Sequence, residues 1–265
     1  MFTRIRSVIF FLFVPFLLFS AEIGIPVESF LQKANASYEQ AENAATFQER
    51  KNSFNEALAA YLAIEKAPSV LSGQLYQAAA NTFFQLGEYA WSILYYERAL
   101  QLEPQNALVT QRLSLAKNKL GLAIPEKNSL FEKLLLQPYF SFQQRLNFFF
   151  WIAAAMLSII TTLIWLPSPF LKKLALISGL FFMSAGMNLF ITYYFAPLHG
   201  IFIQSTGLYR APSLQQPQLS ETPLAMGSKI RIMEIAEQGF WLKVIDLNGN
   251  VGYVPASTLR LIDIF

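Results

Sequence analysis

NFFFWIAAAMLSIITTLIWL (147–166) and LALISGLFFMSAGMNLFITYYFA (174–196) decide how the rest of the chain is arranged. At about 1.5 Å rise per residue, each is long enough as a helix to cross roughly 30 Å of hydrocarbon. No Asp, Glu, Lys or Arg lies between Arg145 and Lys172, and none between Lys173 and Arg210. A long helix in a soluble protein shows a charged face, because one side meets water. The pair therefore reads as a transmembrane hairpin. Its connector, PSPFLKK (167–173), has two prolines to end the first helix and then Lys172 and Lys173. Lysines in a short loop favour the cytoplasmic side. A hairpin returns both flanking regions to the opposite side together.

Composition agrees with soluble parts carried on a membrane element. Of the 265 residues, 54% are hydrophobic and only 14% charged, and mean hydropathy is positive. The net charge of +3 includes Arg4 and Arg6 in a segment expected to be removed, so no electrostatic case for nucleic acid remains. With no cysteine, the chain has no disulfide, thiolate nucleophile or cysteine metal site. Residues 1–21 have the layout of a secretory signal peptide. Arg4 and Arg6 precede the apolar run Val8 to Phe19, and Leu18-Phe19-Ser20 leads to a cut near Ser20 or Ala21. An uncleaved signal anchor gives the same topology. In either case, the chain from residue 22 onward is exported, in agreement with the positive-inside reading of the loop.

Residues 22–125 have helical periodicity. GQLYQAAANTFFQLGEYAWSILYYERALQLEPQN (73–106) is 34 residues long and resembles a tetratricopeptide repeat. Tyr76, Ala79, Ala80 and Phe83 carry the pattern in its first helix. Leu86, Gly87 and Tyr89 make the turn, Ser92, Tyr96 and Ala99 pack the second helix, and Pro104 closes the unit. Small residues let antiparallel helices approach while aromatics fill the gap to the next repeat. ALVTQRLSLAKNKL (107–120) reads as a capping helix. Upstream, Phe47 to Ala67 resembles a second helix with Phe54, Ala57, Ala60 and Tyr61 on one face. Val27 to Gln40 would be its partner, across a longer polar linker. This amounts to about two repeats and a cap. The resemblance implies that Gln74, Gln77, Asn81, Phe84, Gln85, Gln111 and Arg112 line a concave face. Amides and an arginine suit the backbone or carboxylate of an extended peptide, although the lysines of a full carboxylate clamp are missing. Plain solvation accounts for the same residue types.

Residues 126–146 mix charge with Phe131, Tyr139, Phe140 and Phe142. They suit either an interfacial segment before insertion or an ordinary linker broken by Pro138. Within the apolar segments, Asn188, Thr161, Thr162, Gly179 and Gly186 suit helix packing, and no ionisable pathway residue is present.

After Gly200 the pattern changes to short alternating strands, expected at 202–209, 229–234, 241–246 and 251–254. Asn248-Gly249 is a hairpin signal, since both positions tolerate positive φ. YRAPS (209–213), MGSKIRI (226–232), GFWLKV (239–244) and GYVPASTL (252–259) resemble a bacterial SH3 domain over 200–265, with Tyr253 in place of the usual tryptophan. That resemblance implies a groove for peptides or cell-wall glycopeptides at Tyr209, Trp241 and Tyr253. The simpler reading places Trp241 and its neighbours in the barrel interior.

The expected fold class is therefore a multidomain membrane protein: an all-α tetratricopeptide-repeat solenoid, a two-helix hairpin and a small all-β SH3-like barrel. In that order, the parts resemble the BatE proteins of bacterial aerotolerance (Bat) operons. The sharpest matches are ILYYERALQLEPQN (93–106) and GFWLKVIDLNGNVGYVPASTL (239–259). The resemblance implies a scaffold in the bacterial inner membrane with both soluble parts on the periplasmic side. It implies von Willebrand factor A domain proteins and MoxR-type ATPases as partners. Peptidoglycan is the alternative ligand, and lipid surrounds the hairpin. No catalytic residue, cofactor or metal site is expected. His199 is the one histidine, in APLHG, with no motif-borne carboxylate near it, and no phosphate loop or metal-ligand spacing occurs.

Overall fold

The computed structural model describes residues 27–66, 72–122, 133, 136, 138–219, 222–246 and 249–262. The signal-peptide reading and most of the 126–146 linker lie outside them. The described residues form a stack of five helices, a pair of long apolar helices and a five-stranded antiparallel sheet.

The stack comprises α1 (Val27–Glu42), α2 (Phe47–Glu65), α3 (Gly73–Gln85), α4 (Tyr89–Leu102) and α5 (Ala107–Lys119). Polar caps define where several of these helices begin. Thr46 and Glu49 form a reciprocal capping box at α2, and Asn106 accepts from the Val109 N–H at α5. The expected long linker between α1 and α2 is only residues 43–46: polarity there reflects a cap, not a loop. Gly87, at φ 81°, makes the α3–α4 turn at a conformation that an L side chain resists. Small residues (Ala57, Ala60, Ala79, Ala80 and Ala99) alternate with Tyr61, Tyr76, Tyr96 and Phe83 in one continuous core. The packing logic read from the 34-residue segment is therefore present among the described helices.

The apolar pair is α6 (Phe142–Trp165) and α7 (Pro169–Phe195), both long and apolar enough to cross a membrane. Two boundaries differ from expectation. A Ser141–Gln144 capping box starts α6 at Phe142, so 142–146 belong to the helix and not to a linker. At the other end only 166–168 separate the helices. Pro167 ends α6, but Pro169 sits in the first turn of α7, where its missing N–H has no helical acceptor to lose. Lys172 and Lys173 are consequently helical. Phe149 stacks on Phe182 at 4.8 Å, and a Cβ on Gly186 would meet the Phe149 ring at 3.4 Å, so a small residue there allows the close crossing. Arg145, at the start of α6, donates to Thr192 Oγ1 at 2.9 Å and tethers the two helices at their shared end.

The sheet comprises β1 (Leu198–Phe202), β2 (Lys229–Ala236), β3 (Trp241–Ile245), β4 (Val251–Pro255) and β5 (Leu259–Leu261), in the order β4-β3-β2-β1-β5. Its interior is Phe202, Leu208, Ile230, Ile232, Leu242, Val244, Val254 and Leu259. The strand expected at 202–209 is displaced: β1 starts directly after α7, and 203–219 and 222–224 are irregular apart from isolated bridges, among them those at Thr206 and Tyr209. β1 is defined by its pairing with β2 and β5 over residues 198–202, and a Cβ on Gly200 would press on the Leu259 side chain in the β1–β5 contact.

The sheet docks on the stack. Ile201 and Ile262 join the helical core. Glu97 of α4 takes Lys117 of α5 at 2.9 Å and Lys229 of β2 at 3.4 Å, while Arg98 donates to the Leu261 carbonyl. Burial alone would raise the Glu97 carboxyl. Lys229 and then Lys117 more than offset it, holding the group at about 2. Because they touch, stack and sheet lie at the same end of the apolar pair.

Candidate functional site

Alternate helices of the stack share one face, and on it side chains from α1, α3 and α5 meet. Asn81 is the centre. Its Oδ1 accepts from the Arg112 guanidinium at 2.8 Å and from the Tyr96 hydroxyl at 2.7 Å. Gln85, one turn further along α3, lies near the Tyr38 hydroxyl of α1, and the Arg112 charge also reaches that phenol. Burial pushes both Tyr38 and Tyr96 upward, so near neutral pH each remains a protonated donor. Tyr38, Asn81 and Arg112 are half-buried, Tyr96 is buried and Gln85 is exposed, so the cluster runs from the core out to the surface.

Asn81, Gln85 and Arg112 are thus brought together from the residues that sequence reasoning selected. The rest are not. Phe84 packs on Tyr89 with ring centroids 5.3 Å apart and belongs to the helix contact. Gln77 is half-buried, whereas Gln74 and Gln111 are exposed. Tyr38 was missed, and Tyr96 was read only as packing. The available signal was a tyrosine at an apolar-period position, where the ring packs and the hydroxyl needs a partner.

The second set converges on the sheet. Tyr209 and Tyr253 exchange both backbone hydrogen bonds, at 2.9 and 2.8 Å. The Tyr209 and Trp241 rings meet edge to face at 5.6 Å. Along β3, Leu242 and Val244 point inward, while Trp241 and Lys243 share the outer face with Tyr253. Lys243 Nζ lies 6.0 Å from the Tyr253 ring centre, where a cation meets the ring's negative face. Trp241 is half-buried and outside the interior cluster, which corrects the interior-filling alternative: it belongs to an outer aromatic patch.

A separate cleft of about 320 Å³ lies between the α4–α5 turn and the entry to α6. It is lined by Glu103, Gln105, Asn106, Tyr139, Phe140 and Gln144 and includes neither set. Among the described residues, no three His, Asp or Glu side chains are grouped to hold a metal. No protein-family model matches the chain, and neither curated proteins nor solved structures give a match.

Proposed function

We propose that the chain is a non-enzymatic, membrane-anchored scaffold of BatE-like type, in which the helical stack is a short tetratricopeptide-repeat domain and the sheet a bacterial SH3-like barrel. Both modules face the extracytoplasmic side, and the two apolar helices hold them at the inner membrane. The stack takes an extended segment of an envelope protein, with von Willebrand factor A domain and MoxR-type ATPase systems as the partners this likeness implies. One observation carries the reading: Asn81, Gln85 and Arg112 from alternate helices, with Tyr38, gather on a single face.

Arg112 is half-spent on Asn81, so its role is to orient the carboxamide and to offer its remaining N–H groups to a peptide carbonyl or carboxylate. The test is crosslinking in cells followed by mass spectrometry. An Asn81→Ala plus Arg112→Ala protein is expected to lose its partner while keeping the stack folded. Undiminished recovery of the partner would remove this reading.

The aromatic patch supports a second reading, in which the barrel binds cell-wall peptides through Tyr209, Trp241 and Tyr253. Under it, the double variant still sediments with purified sacculi, whereas Trp241→Ala does not. Equal sedimentation of Trp241→Ala and the unaltered chain would count against it.

A further inference from the structure

The β2–β3 hairpin carries three large apolar side chains that nothing among the described residues covers: Met233 is 56% exposed, Ile235 63% and Phe240 73%. A loose loop does not account for this. Glu237, Gln238 and Gly239 all have positive φ, at 48°, 55° and 95°. This is the left-handed turn that suits hairpin twist but strains side-chain-bearing residues. Phe240 is fixed at both backbone groups: its N–H donates to the Glu237 carbonyl at 3.1 Å, and its carbonyl accepts from the Ala256 N–H at 2.9 Å. The ring is presented outward by a closed turn.

Strand register says what it faces. β1 begins three residues after α7 ends, so Leu198 lies at the level where the apolar helix stops. β2 runs antiparallel to β1, with Leu198 opposite Ile232, and residues 233–236 continue past the first residue of β1. At about 3.3 Å per residue, that overhang reaches roughly 13 Å back toward the helix end. The other end of β2 is held on the stack by Lys229 and Glu97. Exposed apolar residues therefore run without a break in chain level from Tyr193, Tyr194 and Phe195 through Leu198 to the hairpin tip.

We propose that Met233, Ile235 and Phe240 rest in the headgroup interface of the bilayer that α6 and α7 cross, making the barrel a second, shallow membrane anchor. This rests on the membrane-spanning reading of that pair. A tethered tip needs only modest apolar contact, because the helices hold it at high effective concentration beside the lipid. Glu237 at the tip and Glu234, 3.9 Å from Lys243, favour a zwitterionic surface over an anionic one.

The chain has no cysteine, so single cysteines report one position each. Full-length Leu157→Cys, Phe240→Cys and Asn250→Cys proteins, labelled with an environment-sensitive fluorophore, are reconstituted in phosphatidylcholine nanodiscs with spin-labelled lipids. Asn250 is the reference, since β3 and β4 place it at the far end of the sheet from the tip. Quenching at 157 by deep acyl-chain labels is expected from the spanning helices. At 240, shallow labels should quench several-fold more than at 250, with a blue-shifted emission. Quenching at 157 with equal, weak quenching at 240 and 250 overturns the anchor alone. Absence of quenching at 157 overturns the spanning reading and the anchor with it.

Discussion

The stack and the apolar pair are both helical hairpins, yet they place their large side chains in opposite ways. In the stack, Ile93 and Leu94 are fully buried and Leu100, Leu102 and Trp91 close around them. In the pair, Trp151 is 75% exposed and Ile164 76%, and α7 buries none of its residues. Water favours the first arrangement by roughly 25 cal/mol per Å² of apolar surface removed from it. The second is the arrangement that suits an apolar surrounding such as lipid. The same secondary structure thus differs between the two regions in which way its large residues point.

The sharpest way to break this comparison is to truncate one leucine in each region. Leu94→Ala is expected to destabilise the stack by about 3 kcal/mol, since a fully enclosed site leaves a cavity. Leu157→Ala, on the exposed face of α6, should stay within about 0.5 kcal/mol in micelles. Thermal unfolding followed by circular dichroism measures both, and comparable losses would erase the distinction.

A smaller effect tests what joins stack to sheet. Glu97→Gln leaves Lys117 and Lys229 facing each other without a carboxylate, for an expected loss of about 2–3 kcal/mol. The wild-type contact has a matching pH signature. Because the folded carboxyl is lowered to about 2 from an ordinary 4.5, its contribution is complete above pH 4.5. It declines as pH falls from 4.5 through 2. Limited proteolysis between stack and sheet should accelerate over that window in the unaltered chain and be insensitive to it in Glu97→Gln. Parallel acceleration in both proteins would contradict the assignment.

A smaller loss again is expected at a cap. Thr46→Ala removes one half of the box at α2, for about 1 kcal/mol, while Glu49→Ala should cost less. Denaturant midpoints would show the order, and a reversal would mean that the turn between α1 and α2 is held by something else.

Local patterns carried most of what the sequence revealed. The repeat-like segment, the turn glycine and the two uncharged runs are all adjacent-residue signals, and each falls on helices and a turn of the described structure. Pro169 misled because one residue type both ends and opens helices, and only its position relative to Ser168 decides which. The early strand was misplaced because Phe202 to Tyr209 alternates, whereas the pairing with β2 and β5 that makes β1 runs over residues 198–202. The contact of Glu97 with Lys229 was not legible at all, since it joins a helix to a strand 132 positions away. Three of the cluster's five side chains, Asn81, Gln85 and Arg112, were read from the sequence. Tyr38 escaped because its ring and its hydroxyl answer to different rules.

On the proposed membrane-spanning reading of α6 and α7, the contact of Glu97 with Lys229 puts stack and sheet on one face of the bilayer and the α6–α7 turn on the other. Single cysteines at Asn55, Lys172 and Asn250, probed in spheroplasts with a membrane-impermeant maleimide, test this directly. Positions 55 and 250 should label in intact spheroplasts, and 172 only after permeabilisation. Labelling of 172 from outside, or protection of either 55 or 250, would contradict it.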